Sequence, residues 1–121
     1  MDGADEPKDK PRDKPLRWFT NSLQTPPVGR DARREAGFLL RRLQRGETLA
    51  LPESRPMPAI GRRVHELRVD DGQGGVTWRI VYRIDSDAVL VVHWWAKKSR
   101  KTAMRDIELC KKRLSDYDKE E

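Results

Sequence analysis

Between residues 28 and 45 the apolar side chains recur with the period of a helix. Ala32, Ala36, Leu39, Leu40 and Leu43 fall at i, i+4, i+7, i+8 and i+11, a single face. Thr25 followed by Pro26 suits the start of that helix and Gly46 its end. Arg33, Arg34, Arg41, Arg42 and Arg45 lie off the stripe, as a solvated face or, alternatively, an RNA contact. The proline-rich stretch LALPESRPMPAIG reads as an extended crossing loop. After it the period changes to two. VHELRV sets Val64, Glu66 and Arg68 on one face and His65, Leu67 and Val69 on the other. TWRIVYRI sets Trp78, Ile80, Tyr82 and Ile84 against Arg79, Val81 and Arg83. AVLVVHWW is apolar almost throughout, as a strand covered on both faces is. DDGQGG and DSD supply hairpin turns, so these three strands form an antiparallel meander. LRWFT suits a short first strand. Ile107, Cys110, Leu114 and Tyr117 then mark a helix over 103–117, with Thr102 as its N-cap.

The pattern implies an α+β domain over 16–117: an antiparallel sheet of three to four strands, an N-terminal helix and a C-terminal helix. Residues 1–15 alternate charge with proline and offer little to bury, so they are expected to form a disordered tail. Residues 118–121 are read as an acidic C-terminal tail.

Charge changes this picture. The 121 residues carry a formal net charge of +6, but 1–15 carry −1 and 114–121 carry −3, which leaves +10 on 16–113. The basic character belongs to the folded part and suits a partner rich in phosphate. Cys110 is the only cysteine, so no internal disulfide forms. A signal-peptide pattern is absent at the N-terminus, and AVLVVHWWA is too short to span a bilayer, which predicts a cytoplasmic protein without membrane contact. Zinc-ligand spacing, carboxylate clusters and glycine-rich phosphate loops are absent as well, so no cofactor is expected.

The candidate chemistry lies on one sheet face. Glu66 and Arg68 share it with Arg79 and Arg83 if their strands pair, and Lys97, Lys98, Arg100 and Lys101 follow the last strand directly. Arginines rimmed by lysines form a phosphate-binding surface. The alternative is a solvated face in which Glu66 makes a cross-strand ion pair of little energetic weight. His65 falls on the apolar face and reads as a satisfied core histidine. His93 serves as a general base if it faces the arginines. Trp94 and Trp95 could stack nucleobases, and core packing is the expected role of at least one of them, because neighbouring strand residues point to opposite faces. Arg79, between the core residues Trp78 and Ile80, is expected to point outward and to tolerate truncation at small cost in stability.

The motifs VHELRV, WRIVYRI and HWWAKKSRKT, followed by a helix of the DIELCKKRL type, resemble the RelE/HigB superfamily of bacterial toxins, including its phage-derived branch. The resemblance covers roughly Leu16 to Tyr117. It implies a compact fold with helices packed on one face of an antiparallel sheet. It also implies a toxin of a type II toxin-antitoxin system: a metal-independent endoribonuclease that cuts mRNA on the ribosome and inhibits translation. Such toxins are neutralised by a cognate antitoxin, for HigB-like members a helix-turn-helix (HigA-like) protein. Carried over by position, Arg79 resembles the phosphate-binding arginine and Lys98 the catalytic cation. Glu66 and His93 stand as candidates for the base. Arg68, Arg83, Lys97, Arg100 and Lys101 are the candidate RNA-binding residues. The chain departs from the family where the second strand carries Val64 and Glu66 in place of lysines, and where Met104 stands in place of a tyrosine. Those departures keep open a non-enzymatic alternative, a ParE-like gyrase inhibitor or a domesticated phage-derived binding protein.

Overall fold

The structure is a computed structural model that describes residues 13–19, 28–72 and 75–120. Strand β1 (Leu16–Trp18) is followed by helix α1 (Arg30–Gln44), β2 (Ser54–Pro56), β3 (Val64–Asp71), β4 (Val76–Ile84), β5 (Val89–Ala96) and helix α2 (Met104–Glu120). The expected tail over its first twelve residues, and Thr25 and Pro26, lie outside the described residues. Five strands form one sheet in the order β1-β5-β4-β3-β2. The β3-β4-β5 meander is antiparallel as the alternation requires. The sheet is nevertheless mixed and wider than expected. β1 joins the edge of β5 in parallel, and β2 forms from the proline-rich stretch read as a loop.

The two helices cover opposite faces, which corrects the expectation that they share one. On the first face Ala32, Ala36, Leu39, Leu40 and Leu43 of α1 meet Leu67, Val69, Trp78, Ile80, Tyr82, Val89 and Val91. On the second face Cys110 and Leu114 of α2, with Ile107 and Tyr117, meet Val64, Val81, Ala88, Leu90 and Val92. This double cover is why β5 is apolar throughout while β3 and β4 alternate.

Local devices set the ends of α1. Its N-cap is Gly29, where an added Cβ would collide with the Asp71 carboxylate. That carboxylate lies beside the positive end of the helix, a favourable place for an anion. Gly46 follows at φ +94, the left-handed stop that glycine adopts without strain. Lys14 and Gln44 exchange two hydrogen bonds, Lys14 N to Gln44 O at 2.9 Å and Gln44 Nε2 to Lys14 O at 2.8 Å. Asp13 pairs with Arg41, so the last residues of the expected tail pack on α1. Arg42 pairs with Glu47 and lies over the Phe38 ring.

Beyond the expected end at Tyr117, α2 continues to Glu120. Asp118, assigned to a tail by sequence, accepts bonds from Arg83 at 2.7 and 3.0 Å.

Candidate functional site

A register shift in β5 decides what the second face presents. Val81 pairs with His93 but Tyr82 pairs with Val91, so Val92 is an extra residue, a β-bulge. The Val92 carbonyl receives Arg113 Nη1 at 2.7 Å. Val92 packs against α2, and His93 also joins the α2 side, where its Nε2 lies 3.0 Å from Asp106 and its ring stacks on Trp95 at 4.8 Å. Trp94 points the other way and meets Trp78 edge-on at 5.5 Å. Both tryptophans are half-buried in packing contacts.

On the α2 face Arg68 pairs directly with Arg79, and Arg55 of β2 with Glu66. Like charges opposite one another destabilise a sheet. The carboxylate of Glu66, buried to 3 % exposure, answers them. Its Oε1 accepts Arg55 Nε at 3.1 Å, and its Oε2 lies 3.7 Å from Arg79 Nη1. The Thr102 hydroxyl joins the two, accepting from Arg79 at 3.0 Å and donating to Glu66 at 3.2 Å. Thr102 is therefore a bridge in this network as well as the residue two before α2.

Arg79 is not the outward side chain expected. It is 3 % exposed, and its Nη2 donates to the carbonyl oxygens of Ser99 at 2.8 Å and Arg100 at 2.6 Å. The alternation was read correctly. The following loop folds back over Arg79 and closes it in. Burial lowers the Arg79 pKa from its ordinary value, with Glu66 opposing.

Above this network lies a cleft of about 420 Å³ lined by Leu51, Pro52, Ser54, Arg55, Glu66, Arg68, Arg79, Lys97 and Arg100. Five cations thus surround one carboxylate. Lys97 N donates to the Thr77 carbonyl at 2.7 Å, which extends the β4-β5 ladder past Ala96 and carries Lys97 to the cleft. Partial desolvation, and after it the guanidiniums of Arg68, Arg79, Arg100 and Arg55, hold the Lys97 ammonium below its ordinary pKa.

Of the sequence-derived candidates, Glu66, Arg68, Arg79, Lys97 and Arg100 come together here. Lys98 and Lys101 are exposed and do not line the cleft. His93 is absent from its walls, and burial followed by the Arg113 charge lowers its pKa against the pull of Asp106. Arg83 lies at the other end of the face, where Asp85 and Asp118 hold it and raise its pKa. His65 stacks on Tyr82 at 5.5 Å, but its buried Nδ1 lacks a hydrogen-bond partner among the described residues, so it is not the satisfied core histidine expected. Sequence reasoning missed Arg55. Its strand is three residues long and ends on Pro56, too short to show a period.

Among the described residues no group of three His, Cys, Asp or Glu side chains is placed to hold a metal ion, and no helix is long and apolar enough to cross a membrane.

A two-helix, mixed-sheet α+β protein with a basic cleft at one end of its sheet is the class defined so far. The chain belongs to the family "Phage derived protein Gp49-like (DUF891)", which matches residues 28–115. That family lies within the RelE/HigB-like toxin superfamily, the class of toxin-antitoxin toxins. No curated protein matches the chain.

Proposed function

We propose that this chain is a toxin that cleaves messenger RNA on the ribosome, with the basic cleft as its phosphodiester site. The observation that supports the reading is the set of five cations, Arg55, Arg68, Arg79, Lys97 and Arg100, around one buried carboxylate. Such a set stabilises charge that builds on a phosphate during reaction. The proposed step uses the RNA's own 2′-hydroxyl. Uncharged Lys97 accepts its proton, the 2′ oxygen bonds phosphorus, the bond to the 5′ oxygen breaks, and that oxygen takes a proton from solvent. The products are a 2′,3′-cyclic phosphate and a 5′-hydroxyl. Lys97 takes this role because it lines the cleft among four guanidiniums, which after partial desolvation lower its pKa from the ordinary lysine value. Arg68 and Arg100 hold the phosphate. Arg79 positions the loop that carries Lys97 and Arg100. Lys98 and Lys101, exposed beside the cleft, contact the flanking strand.

A cognate antitoxin of the helix-turn-helix kind is proposed as the protein partner. The +10 of residues 16–113 favours an acidic surface on it, which speeds association more than it tightens the complex. Expression of this protein without such a partner arrests growth and leaves messages cut, with cyclic phosphate ends. Intact messages during growth arrest would remove the nuclease reading.

A second reading, binding without catalysis, is favoured by one observation. Both oxygens of Glu66 already accept hydrogen bonds and His93 does not line the cleft, so neither faces the phosphate site as an unengaged base. Inhibited DNA supercoiling by purified gyrase, with RNA left intact, is the outcome that selects it.

A further inference from the structure

Arg55 is the cleft cation that no sequence motif announced, and its bonding is unlike that of Arg79. Arg79 has three donor contacts, to Thr102, Ser99 and Arg100, which leave little of its five-donor fork for a ligand. Among the described residues Arg55 donates through Nε alone, to Glu66 Oε1, and its side chain is 42 % exposed. A guanidinium held by Nε keeps both terminal nitrogens for another acceptor, the fork that grips phosphate. Glu66 lies beneath, 3 % exposed, as the only acid among the described residues that line the cleft.

We propose that Arg55 is a phosphate-positioning residue for single-stranded RNA, and that Glu66 is the internal counter-anion against which the RNA phosphate competes for Arg55. The inference rests on the cleft being the phosphodiester site, but not on cleavage. Glu66 then sets how tightly the cleft holds RNA and takes no proton. Neutralising it makes the cleft more positive and weakens the hold on the Arg55 Nε donor, so affinity rises. Removing Arg55 deletes one phosphate contact and leaves the bonds of Glu66 to Thr102 and Arg79 in place.

The test is titration of the full chain with a fluorescent single-stranded oligonucleotide methylated at every 2′ oxygen, which cannot be cut, over a range of salt. Glu66→Gln is expected to bind roughly fivefold tighter, the scale of one screened ion pair. Arg55→Ala is expected to weaken binding by a similar factor and to flatten the log–log salt slope by roughly one contact. In the double variant the gain from Glu66→Gln shrinks, because part of it acts through Arg55. In cleavage assays Glu66→Gln lowers KM and Arg55→Ala raises it, whereas loss of a general base lowers kcat by on the order of a hundredfold. Glu66→Gln leaves Arg79 short of a buried partner, so Arg55→Ala and Arg55→Lys carry the test if that variant fails to fold.

An unchanged salt slope in Arg55→Ala overturns the proposal, as does weaker or equal binding by folded Glu66→Gln. A parent protein that does not bind the oligonucleotide overturns both this inference and the cleft assignment. A parent that binds but never cuts cleavable RNA removes the nuclease reading alone.

Discussion

Arg79 on β4 donates to the carbonyl oxygen of Arg100 at 2.6 Å, so the side chain of one strand holds the backbone of the cationic loop that follows the next. The same guanidinium reaches Ser99 O and Thr102 Oγ1. The loop residues 97–102 carry four cations, Lys97, Lys98, Arg100 and Lys101, which repel one another. Fixing their backbone from beneath keeps Lys97 and Arg100 in the cleft.

Arg79→Ala is therefore a stability variant as well as a functional one. It leaves the Glu66 carboxylate without its buried partner and the Ser99 and Arg100 carbonyls without their donor. Breaking a buried pair in this way costs about 3–5 kcal/mol. Urea unfolding measures the loss, and amide exchange over residues 97–102 should quicken. Arg79→Lys keeps the charge but not the fork, so it restores only part of both. An Arg79→Ala protein as stable as its parent contradicts this account.

Lys97→Met is expected to reduce RNA cleavage on the order of a hundredfold or more, while Lys98→Ala has a mild effect that shrinks as salt rises. The pH profile carries the sign. Protonated Lys97 cannot accept the 2′-hydroxyl proton, so the parent's rate climbs with pH and levels off below 10.5, the ordinary lysine value, because the Lys97 pKa is lowered. Single-turnover cleavage rates across that range, with an unbroken climb past 10.5 in the parent, would point to a different base.

His93 predicts an acid sensitivity of the fold. Burial holds its pKa below 6.5, so the folded protein takes up this proton less readily than the unfolded chain. The stability it contributes is complete above 6.5 and is lost as pH falls through the lower folded value. His93→Gln can still donate to Asp106 and does not titrate. Urea midpoints measured on acidification from about pH 7.5 to about pH 5 should fall further in the parent than in this variant. Equal falls would place the sensitivity elsewhere.

Cys110 reports on global unfolding. Its thiol is fully buried against the sheet, and burial pushes its pKa up to about 12. The thiolate, the reactive form, is scarce at neutral pH. Alkylation by iodoacetamide should proceed only as fast as the protein opens, and urea should accelerate it steeply. Modification at the rate of a free thiol would show that α2 detaches from β5 under native conditions.

The periods of β3 and β4 were fully legible. Trp78, Ile80 and Tyr82 face α1 while Arg79, Val81 and Arg83 face α2, because alternation is a property of the local backbone. The helical stripes were legible for the same reason, and their residues are the ones buried or, for Ile107 and Tyr117, partly buried. The side of the sheet each stripe covers was not. An apolar stripe specifies that a face is buried, not which surface buries it, and the assignment of both helices to one face failed on that point.

Single residues divide along the same line. Glu66, Arg68, Arg79, Lys97 and Arg100 could be grouped by alternation and nearness to a strand end. Arg55 could not, because its neighbour Glu66 is brought to it by the pairing of β2 with β3, a contact between strands with no periodic trace in the chain. The side taken by His93 depended on the extra residue at Val92, and the seclusion of Arg79 on a loop folding back over it. The sequence by itself determined the two helices, the three strands of the meander, the faces of β3 and β4 and the concentration of positive charge, because these follow from local geometry and composition. The tertiary structure alone decided which cations share a cleft, which carboxylate balances them and which of them are closed to solvent, because those depend on distances between segments far apart in the chain.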